Sequence, residues 1–438
     1  MSETAFRIDG GIPLQGTIKA QRAKNAVLPM IAAALVPQKG ETILHGVPDI
    51  ADVRLAFEVA ELIGAEVDYD AFNGTVRIDA SNLHTGTLPA EMTQRFRGSV
   101  LFLAPLLLRL GRVELPGSGG CDIGTRKIDF HHRGFARLGA DVQYLDDGTT
   151  ILNVDKPRLE GTMMYLDLPS HTGTENLVLG ATLAEGVTLI ENASVEPEVV
   201  DFCRYLVKMG ADIAGVGTRT LQITGVKDLH AVEYTPIPDR LVAGLLMMSA
   251  AATGGDITIE DVEPAHLRLV IAKLEQMGVS VVEQDKTLRV YRHIDTVMNP
   301  INVMTEFYPG YPTDLQPCVA ALSTIADGKS YIRERIFENR YDFVDGLIDM
   351  GADVLISQSN VLVVNGVKQL KAANVRAASI RAGAALVLAC LAAPGESIIS
   401  NGYQIDRGHA QIEDQLTQLG AQVSRLTPDV VEDVLMPV

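Results

Sequence analysis

The stretch LPGSGGCDIGTRKID, Leu115 to Asp129, places Cys121 just after a run of glycines, with Arg126 five residues further on. Glycines let backbone N–H groups close on a ligand, and the arginine adds a permanent cation. A neighbouring cation also lowers a thiol from its reference pKa of ~8.5, which suits Cys121 to act as proton donor or covalent nucleophile. A solvated thiol without a role is the plain alternative. The other cysteines, Cys203 (DFCRYL), Cys318 (QPCVAAL) and Cys390 (LVLACLAA), lie in apolar runs and read as small core residues. The spacing of the four fits neither a zinc site nor a disulfide framework.

Further cations stand beside apolar helical runs. AKNAVLPM puts Lys24 and Asn25 just before one such run, RFRGSVLFLAP puts Arg97 at a helix start, YQIDRGHAQIED puts Arg407 at another, and FENRYDF holds Arg340 in a loop. A cation at a helix N-terminus opposes the helix dipole, so a bound anion is the natural compensation. YPTDLQP sets Asp314 ahead of a helix, where an N-cap is the expected role for a single aspartate. Each cation alone reads as solvated surface charge; several at equivalent points of a repeat read as an anion site.

The elements that must position these residues form such a repeat. Gly40, Gly111, Gly186, Gly255, Gly328 and Gly395 each open a short alternating strand (GETILHGV, GRVELPGS, GVTLIENA, GDITIEDV, GKSYIRER, GESIISNG), at separations of 67 to 75 residues. Each strand leads to an amphipathic helix such as VVDFCRYLVKMGADI, closed by a glycine that reads as a C-cap. Two strands around a turn follow, then a second helix rich in Ala and Leu, as in RAGAALVLACLAA. From opening to capping glycine the interval is 23 to 25 residues in five copies and 28 in the second, where PGSGGC is inserted. Insertions on a rigid scaffold are frequent places for function.

A unit of about 70 residues buries too little core to stand alone, so three units per domain and two domains is the economical arrangement. The turn segment EYTPIPDR, with Pro236 and Pro238, falls near the midpoint and marks the crossover. We therefore expect an α/β fold with one domain over residues 23–236, which carries the cysteine loop, and a second formed by 1–22 plus 237–438.

A hydrophobic content of 47% with no apolar run of membrane-spanning length, and a polar N-terminus, predict a soluble cytoplasmic protein. The net charge of −18 argues against nucleic acid and anionic membranes as partners, since both require a basic footprint. An anionic substrate must then be held by a few local cations. No P-loop, dinucleotide fingerprint or serine triad order is present, which disfavours nucleotide hydrolysis and hydride transfer.

Lys24-Asn25, Arg97, GGCDIGTRKID, LAEGVTLIENASVEPEVVD, YPTDLQ, FENR and IDRGHAQIED together resemble the bacterial UDP-N-acetylglucosamine enolpyruvyl transferases (1-carboxyvinyltransferases) from end to end. The resemblance implies two inside-out, barrel-like α/β domains of three βαβαββ-type units each. It implies transfer of the enolpyruvyl group of phosphoenolpyruvate to the 3′-hydroxyl of UDP-N-acetylglucosamine, the first step of peptidoglycan precursor synthesis, without metal or organic cofactor. By motif, Lys24 would contact phosphoenolpyruvate and Asn25 the sugar, while Arg97, Arg126 and Arg407 would hold phosphoenolpyruvate or order the site. Cys121 would deliver a proton and be alkylated by fosfomycin. Asp314 would face the 3′-hydroxyl as base, Arg340 and Arg381 would bind substrate, and Asp129 would fall where the loop packs on the uridine. The oligomeric state is left open.

Some positions differ from the family pattern. Gln21-Arg22-Ala23 replaces a small lead, Ala51 stands where a lysine is usual, Ser379 replaces an acid two residues before Arg381, and the cysteine loop is longer by two residues. They keep open another hydroxyl acceptor, or a silent UDP-sugar-binding paralogue. The joint retention of Lys24, Cys121, Arg126, Asp314 and Arg407 favours an active enzyme, because drift has no reason to spare all five. The shikimate branch, which typically has KS in place of KN and no such cysteine loop, fits less well.

Overall fold

Each of the six opening glycines stands at the head of a strand in the computed structural model, which describes residues 4–117, 128–357 and 360–426. Around Glu41–Leu44 the order is a parallel edge strand, Glu233–Tyr234, then the opening strand, then Thr75–Asp79 and Glu66–Asp70, both antiparallel to their neighbours. The same order recurs around Val187–Glu191, Asp256–Glu260 and Lys329–Arg333. Around Arg112–Leu115 the parallel edge shrinks to one bridge, Thr87 to Glu114. Around Gly395–Ser400 the third place is taken by the N-terminal strand Ala5–Gly10. The strands alternate buried and exposed side chains, as in Asp256–Glu260, so each sheet turns one face to a core.

The helices that close each amphipathic copy end in a left-handed residue. Gly64, Gly139, Gly210, Gly278, Gly351 and Gly420 all have φ between 84° and 107°, which a side chain at Cβ resists and glycine does not. The Ala- and Leu-rich helices behave differently, because they are apolar on every face. All of Arg240–Thr253 is buried, as is Ile380 to Leu391 of the helix Ile380–Ala392, and both pack with Gln316–Ser323. A helix buried all round belongs to a core rather than to the surface.

The chain forms two compact units. Among the described residues one comprises 4–21 and 238–426, and the other 22–117 and 128–237. Backbone pairing explains the allotment of the N-terminus. Gln15–Lys19 is the parallel edge of the Asp256–Glu260 sheet, whereas the next strand, Glu41–Leu44, takes its edge from Glu233–Tyr234. Among the described residues no helix is long and apolar enough to cross a membrane.

Candidate active site

In the first unit the sequence places Asp314 in a short 3-10 turn, Thr313–Leu315, that feeds the helix Gln316–Ser323. It does not cap that helix. Arg340 Nη1 lies 2.8 Å from Asp314 Oδ1, while Arg381 donates to Oδ2 from Nε at 3.0 Å and from Nη2 at 2.7 Å. Both guanidiniums are buried. The N-cap reading fails because two fixed cations from distant segments outcompete backbone N–H groups for one carboxylate.

Burial favours the protonated form of Asp314, but Arg381 and Arg340 together overcome it and hold the carboxyl far below the usual carboxylate range. Asp314 is an anion at neutral pH and, paired this way, a weak base. Its geometry has its own support. Arg340 Nη1 donates to Thr313 Oγ1 at 2.8 Å, and the Thr313 hydroxyl donates to buried Glu334 at 2.9 Å. Glu334 also accepts from the backbone of Ile336 at 2.7 Å and Phe337 at 3.1 Å, which shapes the loop carrying Arg340. Gly244 admits the neighbouring Leu315, since a Cβ there would fall 2.4 Å from Leu315 Cδ1.

Arg407 is buried at the C-terminal end of the helix Tyr403–Asp406, where it reaches Gln404 Oε1 at 3.1 Å. The expectation that it starts a helix is corrected: the next helix, Ile412–Gln418, begins later, and a cation at a C-terminus agrees with the dipole. The apolar spacing after Arg407 concealed this short break.

In the second unit Lys24 and Asn25 are the first two residues of the helix Lys24–Ala33. Pro29 has no N–H to offer the Asn25 carbonyl, so the first turn lacks one helical bond. Lys24 is 8% exposed and its Nζ stands 2.5 Å from Asp52 Oδ2, itself 3% exposed. Asp52 lies in the first turn of Ala51–Leu62, a place the dipole favours for an anion. Arg22 lays its side-chain stem against Gly46.

Arg97 opens the 3-10 helix Arg97–Phe102, and its charge acts on buried His131. Burial above all, then His132 and Arg97, pushes His131 down to about 3, so it is neutral. Asn176 binds His131 Nδ1 at 2.9 Å and the Val100 carbonyl at 2.7 Å, tying His171–Thr182 to the Arg97 segment. Asp129 is the first residue of Asp129–Arg137 and pairs with Arg133 at 3.2 Å, one turn along its own helix. Cys121 and Arg126 lie outside the described residues.

The chain aligns along nearly its whole length with named relatives. It is 47% identical over 426 residues to the UDP-N-acetylglucosamine 1-carboxyvinyltransferase of Thermobifida fusca (strain YX), covering 97% of this chain and 98% of that protein. It is 43% identical to the enzyme of that name from Magnetococcus marinus, covering 96% and 98%. The chain belongs to the UDP-N-acetylglucosamine 1-carboxyvinyltransferase family. It is therefore a transferase. The family model described as EPSP synthase (3-phosphoshikimate 1-carboxyvinyltransferase) matches residues 8–416. Among solved structures, the enolpyruvyl transferase NikO from Streptomyces tendae superposes with a TM-score of 0.85 at 26% identity, over 98% of this chain and all of that one. EPSP synthase from Acinetobacter baumannii shares the mixed α/β fold, with a TM-score of 0.74 at 16% identity over 97% of this chain and 100% of that one.

Within this carboxyvinyltransferase, the motif reading missed Asp52, Glu334 and His131. Asp52 has a visible cue, an acid at the start of an amphipathic helix, but nothing local tells that its partner is Lys24. A further cluster also escaped it. His171, Glu196 and Glu198 hold potential metal-ligand atoms within 4.8 Å of one another, and buried Glu175 lies 3.1 Å from His171 Nε2. Burial opposes protonation of His171, yet Glu175, Glu198 and Glu196 outweigh it and push the imidazole up to about 9, so a proton supplies the positive charge. Because that value exceeds the unfolded one of ~6.5, the pair's stabilisation is complete below pH ~6.5 and fades as pH rises towards 9. The unfolding free energy of the wild type is expected to fall between pH 6.5 and 9 by more than that of His171→Gln, a difference on the order of 2 kcal/mol. Parallel curves for the two proteins would remove the assignment.

Proposed function

We infer that this chain transfers the enolpyruvyl group of phosphoenolpyruvate to the 3′-hydroxyl of UDP-N-acetylglucosamine, with release of phosphate, as the first step of peptidoglycan precursor synthesis. The observation that carries the reading is full-length identity of up to 47% with enzymes so named. The cluster of Asp314 with buried Arg340 and Arg381 supports it. Each compact unit is read as one inside-out, barrel-like enolpyruvyl transferase domain of three repeats, and the cytoplasm as the compartment.

The acceptor hydroxyl adds to C2 of phosphoenolpyruvate while C3 takes a proton. Phosphate then leaves the tetrahedral intermediate and C3 returns the proton, so the enolpyruvyl double bond is restored on the acceptor. Cations fixed in a water-poor site stabilise the phosphate and carboxylate through both steps. We assign that task to Lys24, Arg97, Arg126 and Arg407, with Arg340 and Arg381 binding substrate beside Asp314. Asn25 is assigned to the sugar and Asp129 to the uridine. Cys121 is the proton donor to C3 and the residue open to alkylation.

Asp314 becomes an effective base only when cationic charge is drawn off it. A bound anion that shares Arg340 and Arg381 raises the basicity of the carboxylate, which couples phosphoenolpyruvate binding to activation of the hydroxyl. Lys24 follows the same logic, released from Asp52 towards phosphate. The decisive experiment follows phosphate release from phosphoenolpyruvate with purified protein, with and without UDP-N-acetylglucosamine, before and after fosfomycin. Release is expected only with the UDP-sugar, and the drug is expected to abolish it. Calorimetric binding of the UDP-sugar without release would make the chain a silent binder, and release with a different hydroxyl compound alone would change the acceptor.

A further inference from the structure

The segment that carries Arg407 belongs to neither a helix nor a strand. It runs on to Gln411 between the helices Tyr403–Asp406 and Ile412–Gln418, and it is buried at Arg407, Gly408 and His409. Peptide groups in such a place need partners from elsewhere in the chain. One side chain meets two of them: Gln21 Nε2 donates to the Gly408 carbonyl and Gln21 Oε1 accepts from Ala410 N, each at 3.2 Å. A primary amide carries a donor and an acceptor side by side, so it pairs with this backbone much as a neighbouring strand would.

Gln21 stands on a rigid base. Its own carbonyl accepts from Asp239 N at 2.8 Å, where Asp239 caps the buried helix Arg240–Thr253, and the preceding Ala20 N donates to the Glu260 carbonyl at 2.9 Å. The Arg407 segment is also gripped at its two ends. Arg425 forks onto Asp406 at 2.8 and 2.7 Å and onto Glu413 at 2.7 and 3.2 Å, with one carboxylate on each side of the segment. Gly408 is seated against the start of the helix Ile380–Ala392, since a Cβ there would fall 2.7 Å from Ile380 Cγ2. Gln21 holds the residues directly after Arg407. It is also one of the positions that depart from the family pattern, and a small residue there is too short to span both peptide groups.

We propose that Gln21 is a positioning residue for the transferase reaction: its amide locks the backbone after Arg407 and so fixes the Arg407 guanidinium for the phosphoenolpyruvate anion. A guanidinium recognises phosphate or carboxylate through directed hydrogen bonds, so a displaced backbone costs affinity for that anion and leaves the sugar contacts alone. The inference rests on the role given to Arg407 in the transferase reading above.

The test compares Gln21→Ala and Gln21→Glu in the full chain. Glutamate has the same length but, ionised, offers no donor to the Gly408 carbonyl. Both variants are expected to raise KM for phosphoenolpyruvate on the order of tenfold, the worth of one or two hydrogen bonds, with KM for the UDP-sugar unchanged. In an Arg407→Lys background, which keeps the charge and loses the fork, the same substitutions should have far less effect, because the loss passes through that arginine. Wild-type KM in either variant overturns the proposal. So does an equal rise in both backgrounds, the mark of a residue that only supports the fold. If the wild type releases no phosphate, the transferase reading fails on its own, and the cycle is read from calorimetric affinity for phosphoenolpyruvate. Coupled losses then still support the positioning role, and additive losses, or no binding by the wild type, overturn it.

Discussion

Asp314→Ala is expected to lose both turnover and stability. Two buried guanidiniums share this carboxylate, one through a 2.8 Å contact and the other through a fork of 2.7 and 3.0 Å. Removing it leaves two cations without their counter-charge, and breaking a buried pair in this way costs about 3–5 kcal/mol. On its proposed role as the base, its loss costs a further ~10²–10⁴ in rate. The pH dependence has a definite sign. Because the folded carboxyl lies far below its unfolded value, its stabilisation is present above pH ~4 and is lost as the solution is acidified below that. Asp314→Ala should therefore lose the acid-sensitive part of the stability curve. Added inorganic phosphate should raise the melting temperature of the variant more than that of the wild type, since an anion can occupy the vacant place between the arginines. Equal shifts in the two proteins would show that Arg340 and Arg381 are not available to a ligand.

Lys24 and Asp52 form the other large expected effect. Both are buried, and 2.5 Å separates their charged atoms. Lys24→Ala leaves a carboxylate with its main cation gone, and Asp52→Ala leaves an ammonium in the same position. Each should cost about 3–5 kcal/mol. Lys24→Met/Asp52→Leu removes both charges and fills the space with apolar atoms. It should return to within about 1 kcal/mol of the wild type, because desolvating an ion pair offsets much of its attraction. Phosphate release from phosphoenolpyruvate should stay lost in the double variant. A protein that is stable and inactive separates the proposed catalytic role of Lys24 from its structural one. If the two single losses simply add in the double variant, the pair is not coupled and the account of Asp52 is wrong.

The six-fold repeat could be read from glycines at regular separations, because a left-handed C-cap is a local requirement that only a few residue types meet. The all-apolar helices were equally legible: Arg240–Thr253 and Ile380–Ala392 have no polar face to turn to water. The motif cations could be named in advance. Their partners could not. Arg407 was placed at a helix start because periodicity does not register a break of a few residues between Tyr403–Asp406 and Ile412–Gln418. Asp314 was read as an N-cap because its neighbours in sequence offer backbone N–H groups, whereas its real partner Arg381 lies 67 residues away.

The sequence by itself therefore determined the repeated units, their helix ends, the buried helices and the set of residues able to bind an anion. These depend on backbone conformation and hydrophobic periodicity over a few residues. Only the tertiary structure decided that Lys24 meets Asp52 and that Arg340 and Arg381 converge on Asp314. Which charges pair depends on how strand register and helix packing bring distant segments within hydrogen-bond reach. Burial then makes those few contacts strong enough to set protonation.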